Sequence, residues 1–160
     1  PNLIKAFSRF CVKNDKYNLV VVGSNFWMDK SILTAINESS YKNRIKLIGF
    51  VSDENLQALY KSATIFVSPA FNEGFGLTYL EAATFKLPIV ASKNGSVFEI
   101  FEDSILYCDL NSPDSIVKTL TLIVNNSKLR KKLTEKAYQR SKIFTWDKSA
   151  KKLLNIIEEK

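Results

Sequence analysis

Two carboxylates and two glycines in one short segment are the residues of this chain best suited to binding a small ligand. In FNEGFGLTYLEAA, residues 71–83, Glu73 and Glu81 are separated by seven residues and enclose Gly74 and Gly76. An ionised carboxylate only accepts hydrogen bonds, and it can take both hydroxyls of a vicinal diol. In the plainer interpretation Glu73 is a turn residue and Glu81 an exposed helix position, because a lone pair of nearby glycines is a weak signal.

A helix that begins near Gly76 and runs to Thr84 would add an anion site between the two acids. The backbone amides of Phe75, Gly76, Leu77 and Thr78 would then lack helical acceptors and lie at the positive end of the helix dipole. Glycine has no Cβ, so a ligand can approach the main chain closely. This layout suits a diphosphate bound between two polyols, as in a nucleotide sugar.

Composition limits the chemistry that this chain can perform. It has no histidine, which excludes serine and cysteine triads and the common zinc hydrolase sites from the chain. Cys11 and Cys108 are isolated, which predicts two buried free thiols and no metal or disulfide framework. At 160 residues and 46% apolar content, the chain can bury one core. No apolar run approaches the roughly 20 residues of a membrane span.

Short apolar runs alternate with segments of helical periodicity along the whole chain. Strands are predicted at residues 18–23, 45–50, 64–70, 87–92 and 105–109, and helices at 3–11, 28–39, 53–63, 76–84, 97–101, 113–125, 128–141 and 146–158. Buried strands that alternate with helices predict a parallel sheet covered on both faces. Right-handed crossovers make this a doubly wound, Rossmann-like α/β domain, whose ligands bind beyond the carboxyl ends of the strands. The segment with Glu73 lies in such a loop.

The run NEGFGLTYLEAATFKLPIVAS, residues 72–92, resembles the donor-site motif of the GT-B glycosyltransferases of family 4, the group 1 enzymes. That motif is Glu, seven residues, Glu, with an internal Gly-Phe-Gly. Residues 45–70 are similar to the family's base-side segment and the strand after it, and residues 144–157 to its closing helix. Residues 94–116 are similar to the family's G-G-x-P-E loop and its sequel. Nearly the whole chain is covered, in family order.

The resemblance implies the C-terminal domain of a retaining glycosyltransferase that binds a nucleotide-diphosphate sugar, a UDP-sugar or a GDP-sugar, without a metal or other cofactor. By this resemblance Glu73 contacts hydroxyls of the transferred sugar at the catalytic site, and Glu81 holds the ribose diol. The resemblance also implies two contacts from the main chain. The sugar and the diphosphate are contacted by the amides of Phe75, Gly76, Leu77 and Thr78. The base is contacted by the main chain around Phe50 and Val51.

The chain departs from the family pattern in one loop. Gly95-Ser96-Val97-Phe98-Glu99 stands where the family has G-G-x-P-E, so a glycine and a proline are replaced and the backbone path of the loop stays open. The family's phosphate-binding Arg and Lys correspond to positions upstream of Pro1.

The domain prediction places the nucleotide-sugar-binding domain at residues 1–143 and a closing helix at 144–160 that packs toward an N-terminal acceptor domain. The chain opens without an initiator Met, which indicates a piece of a longer protein, and the piece alone is expected to transfer no sugar. The expected acceptor is a glycan or a polyprenyl-diphosphate-linked molecule in bacterial surface polysaccharide synthesis, such as lipopolysaccharide O-antigen. The open alternatives are a sugar-nucleotide epimerase or phosphorylase, a non-catalytic nucleotide-sugar-binding module, and a flavodoxin-like signalling domain.

A net charge of +7 is concentrated between Lys118 and Lys152, where only Glu135 and Asp147 oppose the basic residues. Such a surface suits an anionic membrane or a phosphorylated acceptor, and it predicts a cytoplasmic protein peripheral to the inner face of the plasma membrane. The alternative is an ordinary solvated helix surface. Nucleic acid is disfavoured as a partner, because no base-reading motif is present.

Overall fold

A computed structural model describes residues 1–23 and 30–158 of the chain. The strands are β1 Leu19–Val22, β2 Ile45–Gly49, β3 Phe66–Ser68, β4 Ile89–Ser92 and β5 Leu106–Cys108. The helices are α1 Asn2–Cys11, α2 Lys30–Asn37, α3 Asp53–Ser62, α4 Leu77–Thr84, α5 Gly95–Phe101, α6 Pro113–Asn125, α7 Ser127–Ser141 and α8 Trp146–Glu158, with a short 3₁₀ turn at Lys42–Arg44. The order is the predicted one. The first two residues of the helix predicted at 28–39 lie outside the described residues.

The strands are all parallel, which confirms the predicted fold class, but they form two sheets. β1 pairs with β2, and β3, β4 and β5 form a second sheet in that order. The prediction of one continuous sheet is therefore wrong for the described residues. Apolar runs identify strands, but they do not specify which strand edges exchange hydrogen bonds, and β3 offers only three residues for pairing.

Two apolar cores on opposite faces account for the arrangement of the helices. The first core joins α1, α2 and α6 to both sheets through buried residues that include Phe7, Leu19, Ile45, Val90 and Ile116. α3, α4 and α5 pack in the second core, with the β4 and β5 residues that face them. Neighbouring residues of β4 enter different cores, Val90 the first and Ile89 and Ala91 the second, so helices cover both faces of the larger sheet.

Cover of the sheets is uneven in the described part of the chain. All four residues of β4 are buried, as expected for a central parallel strand. On the smaller sheet Val20, Val22 and Ile48 are 42%, 40% and 39% exposed. The predicted cover on both faces is therefore incomplete at β1 and β2.

Cys11 and Cys108 are free and buried, as predicted. Burial, with a smaller effect from the charge of Asp109, raises the pKa of Cys108 to about 11. Burial also raises the pKa of Cys11. Both thiols therefore behave as small apolar core residues at neutral pH.

Helix α8 differs from the others because none of its residues is buried. Its apolar residues Leu153, Leu154, Ile156 and Ile157, called here the α8 apolar face, are 53–60% exposed. Among the described residues, no helix is both long enough and apolar enough to cross a membrane.

Candidate functional site

Gly76 starts helix α4 in a conformation that favours glycine. It is the N-cap residue of Leu77–Thr84, with φ 97° and ψ 42° in the left-handed region. A Cβ at this position would also lie 3.3 Å from Cδ2 of Tyr79. Backbone angle and space therefore both select glycine here, and the predicted helix start is confirmed.

The main-chain donors at the start of α4 are directed away from the helix. The first backbone bonds of the helix run from the amides of Tyr79 and Leu80 to the Gly76 carbonyl. Within the described residues, the amides of residues 75–78 have no hydrogen-bond acceptor. A Cβ built at Gly74 meets no atom within 4 Å, and Phe75, Leu77 and Thr78 are exposed, so the loop side of these amides is open to a ligand. Four free donors beside the positive end of a helix dipole form a site suited to an anion.

A buried tyrosine of α4 ties the helix to the end of β3. The Tyr79 side chain is fully buried, and its hydroxyl donates a 2.7 Å hydrogen bond to the carbonyl of Ser68. Burial raises the pKa of Tyr79, so the phenol keeps the proton that it donates. The start of α4 is thereby fixed against the sheet edge where parallel-sheet ligands bind.

Side chains from the last residue of β4 and from the segment after it donate hydrogen bonds to carbonyls of the loop before α4. Ser92 Oγ and Asn94 Nδ2 both donate to the carbonyl of Ala70, the second at 2.8 Å. Ser96 Oγ, from the first turn of α5, donates to the carbonyl of Glu73 at 2.8 Å. Two carbonyls of the loop, those of Ala70 and Glu73, are thus used inside the protein.

The loop where the sequence departs from G-G-x-P-E folds as the start of α5. Asn94 is the N-cap and Gly95 the first residue of the helix. Val97 is fully buried, and Phe98 packs edge to face on Tyr107 with ring centroids 5.7 Å apart. Ser96 therefore replaces a family glycine with a hydroxyl that holds the main chain of Glu73.

Glu81 lies in the second turn of α4 and is exposed. The hydroxyl of Tyr60, from α3, donates to Glu81 Oε2 at 2.9 Å. Glu73 lies before the helix and is half-buried. The two acids therefore lie on either side of the free amides, with Glu73 before them and Glu81 after them along the chain.

The predicted base-side residues belong to a different sheet from the start of α4. Phe50 follows β2 and is 86% exposed, and Val51 beside it is half-buried. No hydrogen bond or ring contact joins either residue to α4 in the part of the chain that is described.

Phe75 connects the loop to the segment before α8. Its ring meets that of Phe144 edge to face, with centroids 6.0 Å apart. Phe75 is nevertheless 46% exposed and Leu77 is 49% exposed, so both present apolar surface beside the free amides.

Sequence reasoning missed the side chains that hold this site. The sequence assigned no role in the site to Tyr60, Tyr79, Ser92 or Asn94. Their partners lie 11 to 24 residues away along the chain, and no spacing rule signals such contacts. The departure at Ser96 was the one available signal, because a hydroxyl replaced a glycine there. Metal-binding clusters of His, Cys, Asp and Glu are absent from the described residues.

Comparison with known proteins identifies relatives along the chain. The family model for glycosyl transferases group 1 matches residues 1–140. O-antigen chain mannosyltransferase B of Escherichia coli is 31% identical over 140 residues, which are 88% of this chain and 37% of that protein. The C-terminal domain of a glycosyl transferase group 1 protein from Francisella tularensis is 28% identical with a TM-score of 0.76, over 89% of this chain and 76% of that one.

Anabaena HepE, solved with UDP and glucose, shares the fold at 18% identity. Its TM-score is 0.87, over 99% of this chain and 44% of that one. The chain spans well under half the length of the first curated relatives it matches. With the family model matched over 140 of 160 residues, the chain belongs to the glycosyl transferases group 1 family.

Proposed function

We propose that this chain binds the nucleotide-diphosphate sugar donor of a retaining glycosyltransferase at the start of α4. The observation that carries the proposal is the set of four unpaired amides, residues 75–78, between Glu73 and Glu81. The diphosphate accepts hydrogen bonds from these amides, and the helix dipole favours its charge.

The two acids have separate tasks in this proposal. Glu73 accepts hydrogen bonds from hydroxyls of the transferred sugar, and Glu81 accepts them from the ribose diol. Both groups orient the donor, so neither is the acid or the nucleophile of a glycosidase pair. Phe50 and Val51 meet the base through their main chain. UDP bound to the HepE relative supports a nucleoside diphosphate as the ligand.

The free amides also supply the electrostatic part of the transfer. As the glycosidic bond to the diphosphate breaks, negative charge grows on the departing phosphate oxygens. Donors that are already fixed in place stabilise this charge without reorganisation. We propose that these amides and basic side chains perform this role without a metal ion.

The acceptor side of the reaction is proposed to come from the rest of a longer polypeptide. The α8 apolar face lies uncovered at the end of a chain that spans 37% of its Escherichia coli relative. Leu153, Leu154, Ile156 and Ile157 would pack against that remaining part. This chain alone is therefore expected to bind the donor but to transfer no sugar.

The setting that fits this function is synthesis of a bacterial surface polysaccharide. The relative named O-antigen chain mannosyltransferase B supports this setting. The basic run from Lys118 to Lys152 supports it too, because positive charge suits a polyprenyl-diphosphate-linked acceptor at the inner face of the plasma membrane.

Calorimetry of this chain with UDP-sugars and GDP-sugars tests the proposal. Glu81→Gln should weaken donor binding by about 1.5 to 3 kcal/mol, the range for a hydrogen bond to a charged group. Glu38→Gln, at an exposed residue after α2, is the matched control and should leave affinity unchanged. Equal affinity of the Glu81→Gln variant and the parent would refute the proposed role of Glu81. Sugar transfer by this chain alone would refute the need for the remaining polypeptide.

A further inference from the structure

The described residues place one buried donor against the exposed acid of α4. The Tyr60 side chain is 7% exposed, and its hydroxyl lies 2.9 Å from Glu81 Oε2. The same hydroxyl is 3.5 Å from the carbonyl of Thr78, which is a much weaker contact. A phenol has one proton to donate, and the short bond to the carboxylate takes it.

Aromatic packing holds the Tyr60 ring in place. It stacks on Phe85 with centroids 5.3 Å apart and an interplanar angle of 15°, and it is tilted against Phe66 at 6.1 Å. All three rings pack in the second core. The hydroxyl therefore acts as a fixed donor on α3, whereas an exposed glutamate on a helix would otherwise sample several rotamers.

The hydrogen bond also leaves the acid available to a ligand. Tyr60 contacts Oε2, and within the described residues Oε1 of Glu81 has no hydrogen-bond partner. Burial, with the hydrogen bond and charge of Glu81, raises the pKa of Tyr60, so the phenol remains a donor at neutral pH. One oxygen is thus anchored and the other can accept hydroxyl hydrogen bonds.

We propose that Tyr60 is a positioning residue for Glu81, orienting its free carboxylate oxygen toward the vicinal diol of the bound nucleotide. This inference rests on the proposed function, because it needs a ribose at Glu81. Tyr60 touches no donor atom itself. Its contribution is to fix in advance the side-chain conformation that the ligand would otherwise have to order on binding.

Tyr60→Phe tests the inference, because it removes the hydroxyl and keeps the ring. Calorimetry should compare UDP and GDP with their 2′,3′-dideoxy counterparts, which lack the diol. Of UDP and GDP, the one that the parent binds more tightly is the test ligand. We expect Tyr60→Phe to lower the affinity for this ribonucleotide about three- to tenfold and to leave the affinity for its dideoxy counterpart unchanged. In a chain that already carries Glu81→Gln, Tyr60→Phe should lower the affinity for the ribonucleotide by a smaller factor, because the two residues act through one contact.

Tyr17→Phe is the matched control, since Tyr17 packs on Phe10 in the first core, away from α4. It should bind all four nucleotides like the parent. Equal losses for ribose and dideoxy nucleotides in Tyr60→Phe would indicate a merely structural role and overturn the inference. The inference would also be overturned if the parent binds the ribonucleotide more tightly than its dideoxy counterpart and Tyr60→Phe binds the ribonucleotide as tightly as the parent does. A parent that binds neither UDP nor GDP would overturn the proposed function, and the inference with it.

Discussion

Helices α4 and α8 show opposite relations between apolar sequence and burial. In α4, Leu77–Thr84, the side chains of Tyr79, Ala82 and Ala83 are fully buried. In α8, Trp146–Glu158, none is buried, although the helix has a clear apolar stripe and Trp146 is 79% exposed. The shorter and less amphipathic helix is the better packed one.

The difference shows that the position of a helix depends on what its neighbours offer. α4 packs against β4 and α7, and a tyrosine hydroxyl anchors it to Ser68. α8 follows a turn at residues 142–145 and has no core to enter in the described part of the chain. A ligand site needs fixed geometry, so the start of α4 is suited to one and α8 is suited to a docking role.

The largest difference between α4 and α8 is expected in the loss of stability when a large side chain of each helix is replaced by alanine. Tyr79→Ala should lower the free energy of unfolding by about 3 to 5 kcal/mol, because it empties a fully buried position and frees the Ser68 carbonyl. Leu154→Ala should change it by less than about 0.5 kcal/mol, since Leu154 is 53% exposed. Urea unfolding monitored by circular dichroism measures both.

The same Leu154→Ala change sharpens the comparison in the longer polypeptide proposed above. The proposal has the α8 apolar face covered in that polypeptide, so the change should become destabilising there by about 2 kcal/mol or more. A Leu154→Ala cost in this chain as large as that of Tyr79→Ala would remove the contrast between the helices.

The two glycines of the loop offer a smaller and more local contrast. Gly76→Ala should destabilise the chain by about 1 to 2 kcal/mol, because alanine is strained at φ 97° and its Cβ crowds Tyr79. Gly74→Ala meets open space, so a change within about 0.5 kcal/mol is expected. Thermal unfolding compares the melting temperatures of the two variants. Equal melting temperatures would count against a strained backbone at the start of α4.

Ser96→Ala should have the smallest effect, about 0.5 to 1.5 kcal/mol, since it removes one neutral hydrogen bond to the Glu73 carbonyl. Ser62→Ala is a matched control, because the hydroxyl of exposed Ser62 bonds only the Leu59 carbonyl of its own helix, α3. Nucleotide affinity should also fall in Ser96→Ala and not in Ser62→Ala. Identical unfolding midpoints and affinities for both variants would show that Ser96 does not hold the loop.

Local elements were predictable because their signals lie within a few residues. The bounds of α6 and α8 agree with the sequence, and Ser52, a residue type typical of helix starts, caps α3 by accepting from the Asn55 amide. Strand ends were less accurate: the run at 64–70 forms a strand of only three residues, Phe66–Ser68. The division into two sheets was not predictable, because strand pairing depends on distant edges.

The sequence by itself determined the donors and acids of the candidate site. Glu73, Gly76 and Glu81 lie within nine residues, so helix geometry alone sets their order around the free amides.

Only the tertiary structure decided how that segment is held. Tyr60 reaches Glu81 from 21 residues away, and Ser96 reaches Glu73 from 23 residues away. Hydroxyl contacts over such separations arise when packed helices and strands bring side chains together, and hydrophobic periodicity carries no information about which hydroxyl meets which acceptor.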